Sequence, residues 1–170
     1  LLLGAHRLNP DAADALLNAV RWMNAHPDVG AIAPQVKRRD GTRDYLVKRK
    51  PAVLDLALRG FMPRVGRLLF RSRLDRYEMR DVIDAAPERD IVDVAAMSGA
   101  CMLLRRKAVD QTGGFDPRFF LYFEDYDWTV RLNRVARTAY VPAMRIRHHG
   151  GGAARKGLRH IAWFVTSGLR

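Results

Sequence analysis

The sequence lacks the features that mark disulfide-bonded, membrane-spanning or repetitive proteins. Its single cysteine, Cys101, cannot form an internal disulfide and lies in an apolar segment, which predicts a buried, inert thiol. No apolar run approaches the ~20 residues that a membrane-spanning helix needs. A basic N-terminal leader, internal repeats and low-complexity linkers are absent from the sequence as well. We therefore predict one domain over residues 1–170, in a reducing, cytoplasmic setting.

Acidic residues are scarce relative to basic ones, and the excess of positive charge is unevenly spread. The chain has 30 Lys and Arg against 18 Asp and Glu, a net charge of +12, and residues 37–80 alone have 14 against 5. Such a block is most often a solvated face. The functional alternatives are attraction to anionic lipid head groups or to a pyrophosphate-bearing substrate. Nucleic acid is disfavoured, because the block has little aromatic interleaving for base stacking.

Residues 51–76, within this basic block, mix leucine with arginine. The mixture is typical of an amphipathic helix at a membrane interface, although a surface helix over the core is the commoner case. It predicts peripheral contact with the inner face of a cell membrane through residues 51–76.

The spacing of apolar residues predicts that helices alternate with strands. Helices are predicted from Pro10 to His26, from Pro51, and over residues 106–111, 125–136 and 158–169. Within 125–136, the predicted apolar positions are Trp128, Leu132 and Val135. Strands are predicted over residues 31–34, 91–104 and 140–148, and Asp40-Gly41 predicts a hairpin-type turn. Alternation in the last strand places Met144, Ile146 and His148 on the inward face, so His148 rather than His149 points inward.

An aromatic run that ends in carboxylates is the most informative feature of the chain. Residues 119–123 read Phe-Phe-Leu-Tyr-Phe, and Glu124, Asp125 and Asp127 follow. Desolvation by an apolar wall raises the pKa of a carboxyl toward the range where it acts as a general base. The simpler alternative is that acidic residues favour a helix N-terminus, where the macrodipole stabilises them. Since Arg131 lies one turn after Asp127, an intrahelical ion pair is the simplest explanation of both.

Several short motifs occur in a characteristic order. They are Leu8-Asn9-Pro10-Asp11, Ser98-Gly99-Ala100, Gly113-Gly114-Phe115-Asp116, the run from Phe119 to Asp127 with Arg131, and His148-His149-Gly150-Gly151-Gly152. Together, in order and spacing, they resemble the family 2 glycosyltransferases, in particular the bacterial rhamnosyltransferase-like branch. The resemblance, which includes a Ser-Gly-Ala strand, spans nearly the whole chain.

The resemblance implies a GT-A fold, an α/β fold whose mixed sheet is flanked by helices and holds a nucleotide-sugar and a divalent metal. It implies Mg²⁺ or Mn²⁺ on Asp11, with Asn9 as the weaker partner and His148 as the distal ligand. Hard cations prefer carboxylate oxygen, Mn²⁺ also accepts imidazole, and the metal stabilises the departing diphosphate. Without the resemblance, Asp11 would be a helix N-terminal carboxylate and His148 a core histidine.

The resemblance also implies roles at the reacting centre. Asp125 is the catalytic base that takes the proton of an attacking acceptor hydroxyl. Glu124 either raises the pKa of Asp125 by like-charge repulsion or binds the acceptor. Ser98 and Gly99 are where the backbone approaches the substrate, because glycine leaves room there.

The remaining substrate-binding candidates are Asp127 and Arg131. Arg131 either reaches a phosphate or holds Asp127, and we favour the structural role.

The predicted activity is inverting transfer of a sugar, a deoxyhexose such as rhamnose, from a dTDP- or UDP-sugar donor to a cell-surface glycan or lipid-linked acceptor. In the family a nucleotide-binding half precedes the metal motif, whereas only eight residues precede Asn9 here. We therefore expect residues 1–170 to be the C-terminal two-thirds of a GT-A domain, incomplete in its nucleotide-binding half. The alternatives are a catalytically inactive fragment that serves as an interaction or scaffold domain, and a basic nucleic-acid-binding module, which the acidic cluster disfavours.

Overall fold

A mixed β-sheet between two layers of helices forms the centre of the structure. The computed structural model describes residues 2–3, 10–38, 40–50, 52, 54–55, 58, 63–85, 87–119, 121–147, 163–164 and 166–168, and the side chains at 2–3, 10–13 and 63–64 lie outside the description. The strands are β1 (Leu2–Leu3), β2 (Val29–Lys37), β3 (Arg43–Asp44), β4 (Val47–Lys48), β5 (Ile91–Val92), β6 (Ala96–Met97), β7 (Met102–Leu104) and β8 (Arg137–Arg147). The helices are α1 (Pro10–Ala25), α2 (Pro63–Leu69), α3 (Arg71–Tyr77), α4 (Arg80–Ile83), α5 (Arg106–Thr112) and α6 (Glu124–Leu132).

The sheet is built around the parallel pair of β2 and β8. Its strand order is β1-β7-β2-β8-β5, with β3 paired to β2. The pairs other than β2–β8 are antiparallel, and β4 and β6 form a separate antiparallel pair. Lys37 and Arg147 are in register at the carboxyl ends of β2 and β8. The prediction of an α/β fold with a mixed sheet and flanking helices is confirmed.

The two faces of β2 contribute to two hydrophobic cores, which explains why its residues are buried from Val29 to Val36. Ala31 belongs to the core that contains Trp128 of α6. The next residue, Ile32, belongs to the core that contains Ala19 of α1. Adjacent strand residues point to opposite faces, so helices on both sides of the sheet bury the whole strand.

Several predicted elements are confirmed with small shifts. The predicted helices correspond to α1, to α5 and, more briefly than expected, to α6. The predicted Asp40-Gly41 turn connects β2 to β3, with Gly41 at φ 79°. Alternation in β8 is confirmed as far as Ile146, with Met144 buried and Arg145 exposed. Cys101 is buried as predicted, and burial raises the pKa of its thiol to about 11.

Three expectations are wrong. Residues 91–104 form three short strands rather than one, because Asp93 has a φ of 62° and residues 99–101 form a turn and bend. Ser98-Gly99-Ala100 is consequently a connection between β6 and β7 rather than a strand. The third concerns Val135, which lies beyond the end of α6 and is 52% exposed. Two further helices are predicted, one from Pro51 and one over residues 158–169. Residues 54–55, 58, 163–164 and 166–168 are helical, Ala52 is not, and the other residues of these two segments lie outside the description.

Candidate active site

The carboxylate pair lies at the start of α6, immediately after a strained turn. Tyr122 and Phe123 have φ values of 69° and 66°, the left-handed conformation that bulky residues avoid. Such residues cost about 1–3 kcal/mol each and persist only where the surroundings enforce them. Glu124 and Asp125 then form the first turn of α6. The left-handed conformation of Tyr122 and Phe123 therefore sets the direction of the backbone at the start of α6, and with it the positions of Glu124 and Asp125.

Asp125 is held by two backbone N–H groups. Its Oδ2 accepts a hydrogen bond from Gly99 N at 2.6 Å, and its Oδ1 accepts one from Tyr126 N at 2.7 Å. A Cβ on Gly99 would lie 3.3 Å from Asp125 Cβ, closer than about nine in ten real contacts of this kind. A side chain at position 99 would therefore force Asp125 or the backbone at Gly99 to move by a few tenths of an ångström. Hydrogen bonds of this kind fix the orientation of the carboxylate.

Glu124 is in a different environment from its neighbour. Its Oε2 atom is buried and has no hydrogen-bond partner among the described residues. Burial, and after it the charge of Asp125, raises the pKa of Glu124 above its ordinary value. The pair thus combines Asp125, whose carboxylate is oriented by backbone N–H groups, with Glu124, whose carboxyl holds its proton more strongly than an ordinary glutamate does.

Asp127 and Arg131 form the predicted intrahelical ion pair, at 2.8 Å between Arg131 Nη2 and Asp127 Oδ2. Arg131 also donates to the carbonyl oxygens of Thr112 at 2.6 Å and Gly114 at 2.8 Å. These contacts join the end of α5 to α6. Their further assignment as substrate-binding residues stays a prediction.

Ser98 lies beside the site, in the connection that presents Gly99 to Asp125. Its backbone N–H donates to Leu46 O at 2.8 Å, and its hydroxyl accepts a weak bond from Ala100 N at 3.4 Å. These bonds shape the connection at its two ends. The role of Ser98 in binding substrate stays a prediction, as does that of Gly99.

The predicted metal ligands fall largely outside the described residues. Asp11 belongs to the first turn of α1, but its side chain is not described, and neither Asn9 nor His148 is described. Arg147, the residue before His148, ends β8 at the carboxyl edge of the parallel pair. Within the described part of the chain, His, Cys, Asp and Glu form no group of three or more that could hold a metal. The Mg²⁺ or Mn²⁺ site therefore stays a prediction.

Two residues near the site are not apparent from sequence patterns. Phe164 contacts the rings of Tyr122 and Phe123, with centroid distances of 5.8 and 4.9 Å. Ser167 Oγ donates to Leu121 O at 2.9 Å. Helical periodicity over 158–169 indicated a helix there, but nothing in it indicated which surface that helix covers. These contacts exist only because the fold brings the end of the chain to the aromatic run.

Residues 51–76, within the basic block, expose apolar side chains to solvent at the end of α2. Leu68 is 81% exposed and Leu69 is 67% exposed. Arg71, which follows, is also 81% exposed. Arg67 pairs with Asp75 at 2.7 Å and with Glu78, and Arg71 Nε lies 3.5 Å from Oδ2 of the same Asp75, so part of the positive charge is neutralised locally. None of the helices among the described residues has the length and apolar character needed to cross a membrane.

Comparison with known proteins identifies the family. The family model described as glycosyltransferase-like family 2 matches residues 12–159, so this chain belongs to that family. Two curated relatives, from Mycobacterium tuberculosis strains CDC 1551 / Oshkosh and ATCC 25618 / H37Rv, are each 34% identical over 160 residues, which is 90% of this chain. Both are named N-acetylglucosaminyl-diphospho-decaprenol L-rhamnosyltransferase. The family resemblance predicted from the motifs is thereby confirmed.

The chain spans 47% of the length of these two relatives, about half. No solved structure is significantly similar to it.

Proposed function

We propose that this chain carries the catalytic carboxylates of an inverting glycosyltransferase with a GT-A-like fold. The donor is a dTDP- or UDP-sugar, with a deoxyhexose such as rhamnose as the transferred sugar, and the acceptor is a hydroxyl of a cell-surface glycan or lipid-linked saccharide. The observation that carries the proposal is the carboxylate pair at the start of α6, with Asp125 fixed against Gly99. Membership of the family and the names of the two relatives support it.

Asp125 is the base in this proposal. The acceptor oxygen forms a bond to the anomeric carbon, while the bond from that carbon to the diphosphate oxygen breaks and its electron pair leaves with the diphosphate. The proton of the acceptor hydroxyl passes to Asp125, and the anomeric configuration inverts. A base must be held in a defined position relative to its proton, and the bonds from Gly99 N and Tyr126 N provide that orientation.

Glu124 binds the acceptor in this proposal. Its raised pKa keeps more of the carboxyl protonated at a given pH than in an ordinary glutamate. A protonated carboxyl can donate one hydrogen bond and accept others, which suits a sugar hydroxyl. The unpartnered Oε2 is the atom that such a hydroxyl would satisfy.

Asp11 and His148 are the residues that would hold Mg²⁺ or Mn²⁺. When bound, the cation would neutralise the charge that develops on the leaving diphosphate.

We further propose that the protein works in the cytoplasm and touches the inner face of the membrane through residues 51–76. The exposed Leu68, Leu69 and Arg71 support this proposal, since apolar side chains enter the head-group region and arginine attracts anionic lipid.

The test is sugar transfer by the full-length natural protein that carries this chain. Transfer from a panel of dTDP- and UDP-sugars to a prenyl-diphosphate-linked N-acetylglucosamine is followed by mass spectrometry. Asp125→Asn keeps the shape of the side chain but not the proton acceptor, so kcat should fall about 10²–10⁴-fold. Donor affinity should change little. Asp110→Asn, on the exposed surface of α5, is the matched control and should keep full activity.

Two results would contradict the proposal in different ways. Near-full turnover by Asp125→Asn, with loss of turnover by Glu124→Gln, would move the base to Glu124. Absence of transfer from every donor by the wild type would favour an inactive interaction or scaffold domain.

A further inference from the structure

The helical residues near the end of the chain cover the strained turn that precedes the carboxylate pair. Ser167 is 8% exposed, and its hydroxyl donates to Leu121 O at 2.9 Å. Phe164 lies one turn earlier and contacts the rings of Tyr122 and Phe123. Both residues lie beyond the part of the chain that matches the family model, residues 12–159. The family match therefore assigns them no role.

We propose that Ser167 and Phe164 are positioning residues, which hold the Leu121–Phe123 turn in the conformation that aims Glu124 and Asp125 at the acceptor. The inference rests on the proposed glycosyl transfer. It follows from the cost of the turn, since two consecutive bulky residues in the left-handed conformation must be stabilised from outside the turn. The hydroxyl of Ser167 fixes the carbonyl of Leu121 at the start of the turn, and the ring of Phe164 packs against the side chains of Tyr122 and Phe123 within it.

Gly168 shows how closely this helix approaches the turn. A Cβ at position 168 would lie 3.3 Å from Cε2 and 3.4 Å from Cζ of the Phe123 ring. Any side chain there would press on the ring of the residue that precedes Glu124. The helix therefore contacts the turn by a hydrogen bond, by aromatic packing and by a close glycine approach.

The experiment perturbs these contacts separately in the full-length natural protein. Ser167→Ala removes the hydrogen bond, Ser167→Thr keeps a hydroxyl, and Gly168→Ala presses on the Phe123 ring without removing a bond. Thr166→Ala is the matched control, since Thr166 is exposed and its hydroxyl donates to Trp163 O, three residues earlier, at 3.2 Å. For each variant, kcat, the donor KM and the thermal unfolding midpoint are measured.

We expect Ser167→Ala and Gly168→Ala to lower kcat between about tenfold and a hundredfold, because a small misplacement of catalytic groups is costly. The donor KM should stay unchanged, Ser167→Thr should restore most of the lost kcat, and Thr166→Ala should behave as wild type. This pattern would support positioning if kcat falls further than the folded fraction does, because a general loss of stability would lower kcat only in proportion to the folded protein.

Two outcomes would overturn the proposal while leaving the proposed function intact. One is that Ser167→Ala and Gly168→Ala both keep the kcat of Thr166→Ala. The other is that their kcat falls only in proportion to the folded fraction, with Ser167→Thr no better than Ser167→Ala. Inactivity of the wild type toward every donor would instead count against the proposed glycosyl transfer.

Discussion

The backbone N–H of Gly99 donates a hydrogen bond of 2.6 Å to Oδ2 of Asp125, across 26 positions of sequence. This bond joins the connection between β6 and β7 to the first turn of α6. The position of the Asp125 carboxylate therefore depends on how closely the Gly99 backbone can approach it. Two separate motifs of the family resemblance, Ser98-Gly99-Ala100 and the run from Phe119 to Asp127, are therefore in direct contact.

Replacement of Gly99 by alanine should lower activity more than it lowers stability. The new Cβ would lie 3.3 Å from Asp125 Cβ and 3.5 Å from its Oδ2, so the carboxylate must shift by a few tenths of an ångström. We expect Gly99→Ala to lower kcat between about tenfold and a hundredfold, as measured by the transfer assay. The donor KM should be unchanged.

Gly41→Ala is the contrasting control for this substitution. Gly41 has a φ of 79° and nothing within 4 Å of the added Cβ, in the hairpin between β2 and β3. Alanine there should cost about 1 kcal/mol of stability through backbone strain and leave kcat unchanged. A Gly99→Ala protein with wild-type kcat would show that the approach to Asp125 does not position a reacting group.

The raised pKa of Glu124 should make stability depend on pH in a defined direction. The folded protein binds the proton of Glu124 more tightly than the unfolded chain, whose glutamates titrate near 4.5. The resulting contribution to the free energy of unfolding is fully present below that value and is lost as the pH rises through the folded pKa. Glu124→Gln cannot ionise, so it should keep its stability over this range.

Urea unfolding of wild type and Glu124→Gln at intervals from pH 4 to pH 8 measures this difference. The free energy of unfolding of Glu124→Gln minus that of wild type should increase with pH and then level off. A difference that is flat over the whole range would mean that the pKa of Glu124 is the same in the folded and unfolded states.

Much of the scaffold, but little of the site geometry, could be predicted from the sequence. Periodicity located α1, because this helix buries one regularly spaced face, and the last part of β8, where exposed and less exposed residues alternate from Ala143 to Arg147. The same reasoning fails over residues 91–104, where the apolar residues before Ser98 and after Gly99 predict one strand although a turn and bend at residues 99–101 separates them. Apolar runs are ambiguous when separate strands are all buried.

The contacts that shape the site depend on tertiary packing. Tyr122 and Phe123 have no local preference for a positive φ, and only neighbouring elements enforce it. The bond from Ser167 to Leu121 spans 46 positions. The Asp127–Arg131 pair, by contrast, is set by the helical repeat alone and was predicted.

The Asp127–Arg131 pair should prove structural when each partner is changed. Asp127→Asn should lower the free energy of unfolding by up to about 1 kcal/mol, as for a partly exposed pair. Arg131→Lys should cost more, because lysine cannot donate in a fork to both Thr112 O and Gly114 O. Donor affinity, measured by calorimetry, should be unchanged in both variants.

Asp110→Asn provides the control for this pair, since Asp110 and Arg106 have the same spacing on an exposed helix surface. It should affect stability less than Asp127→Asn does. A large loss of donor affinity in Arg131→Lys, at preserved stability, would instead assign Arg131 to the phosphates of the donor.

Membrane association through residues 51–76 should depend on both leucines at the end of α2. We expect the protein to float with vesicles that contain anionic phospholipid at low ionic strength. Binding should fade at high salt, since charge attraction is screened over ~8–10 Å at physiological ionic strength.

The double substitution Leu68→Ser and Leu69→Ser should reduce flotation at every salt concentration, because it removes the exposed apolar surface. Leu17→Ser, which alters a 55% exposed leucine on α1, is the matched control and should float as wild type. Equal flotation of the double variant and the wild type, or no flotation at low salt, would leave the segment as a solvated surface helix.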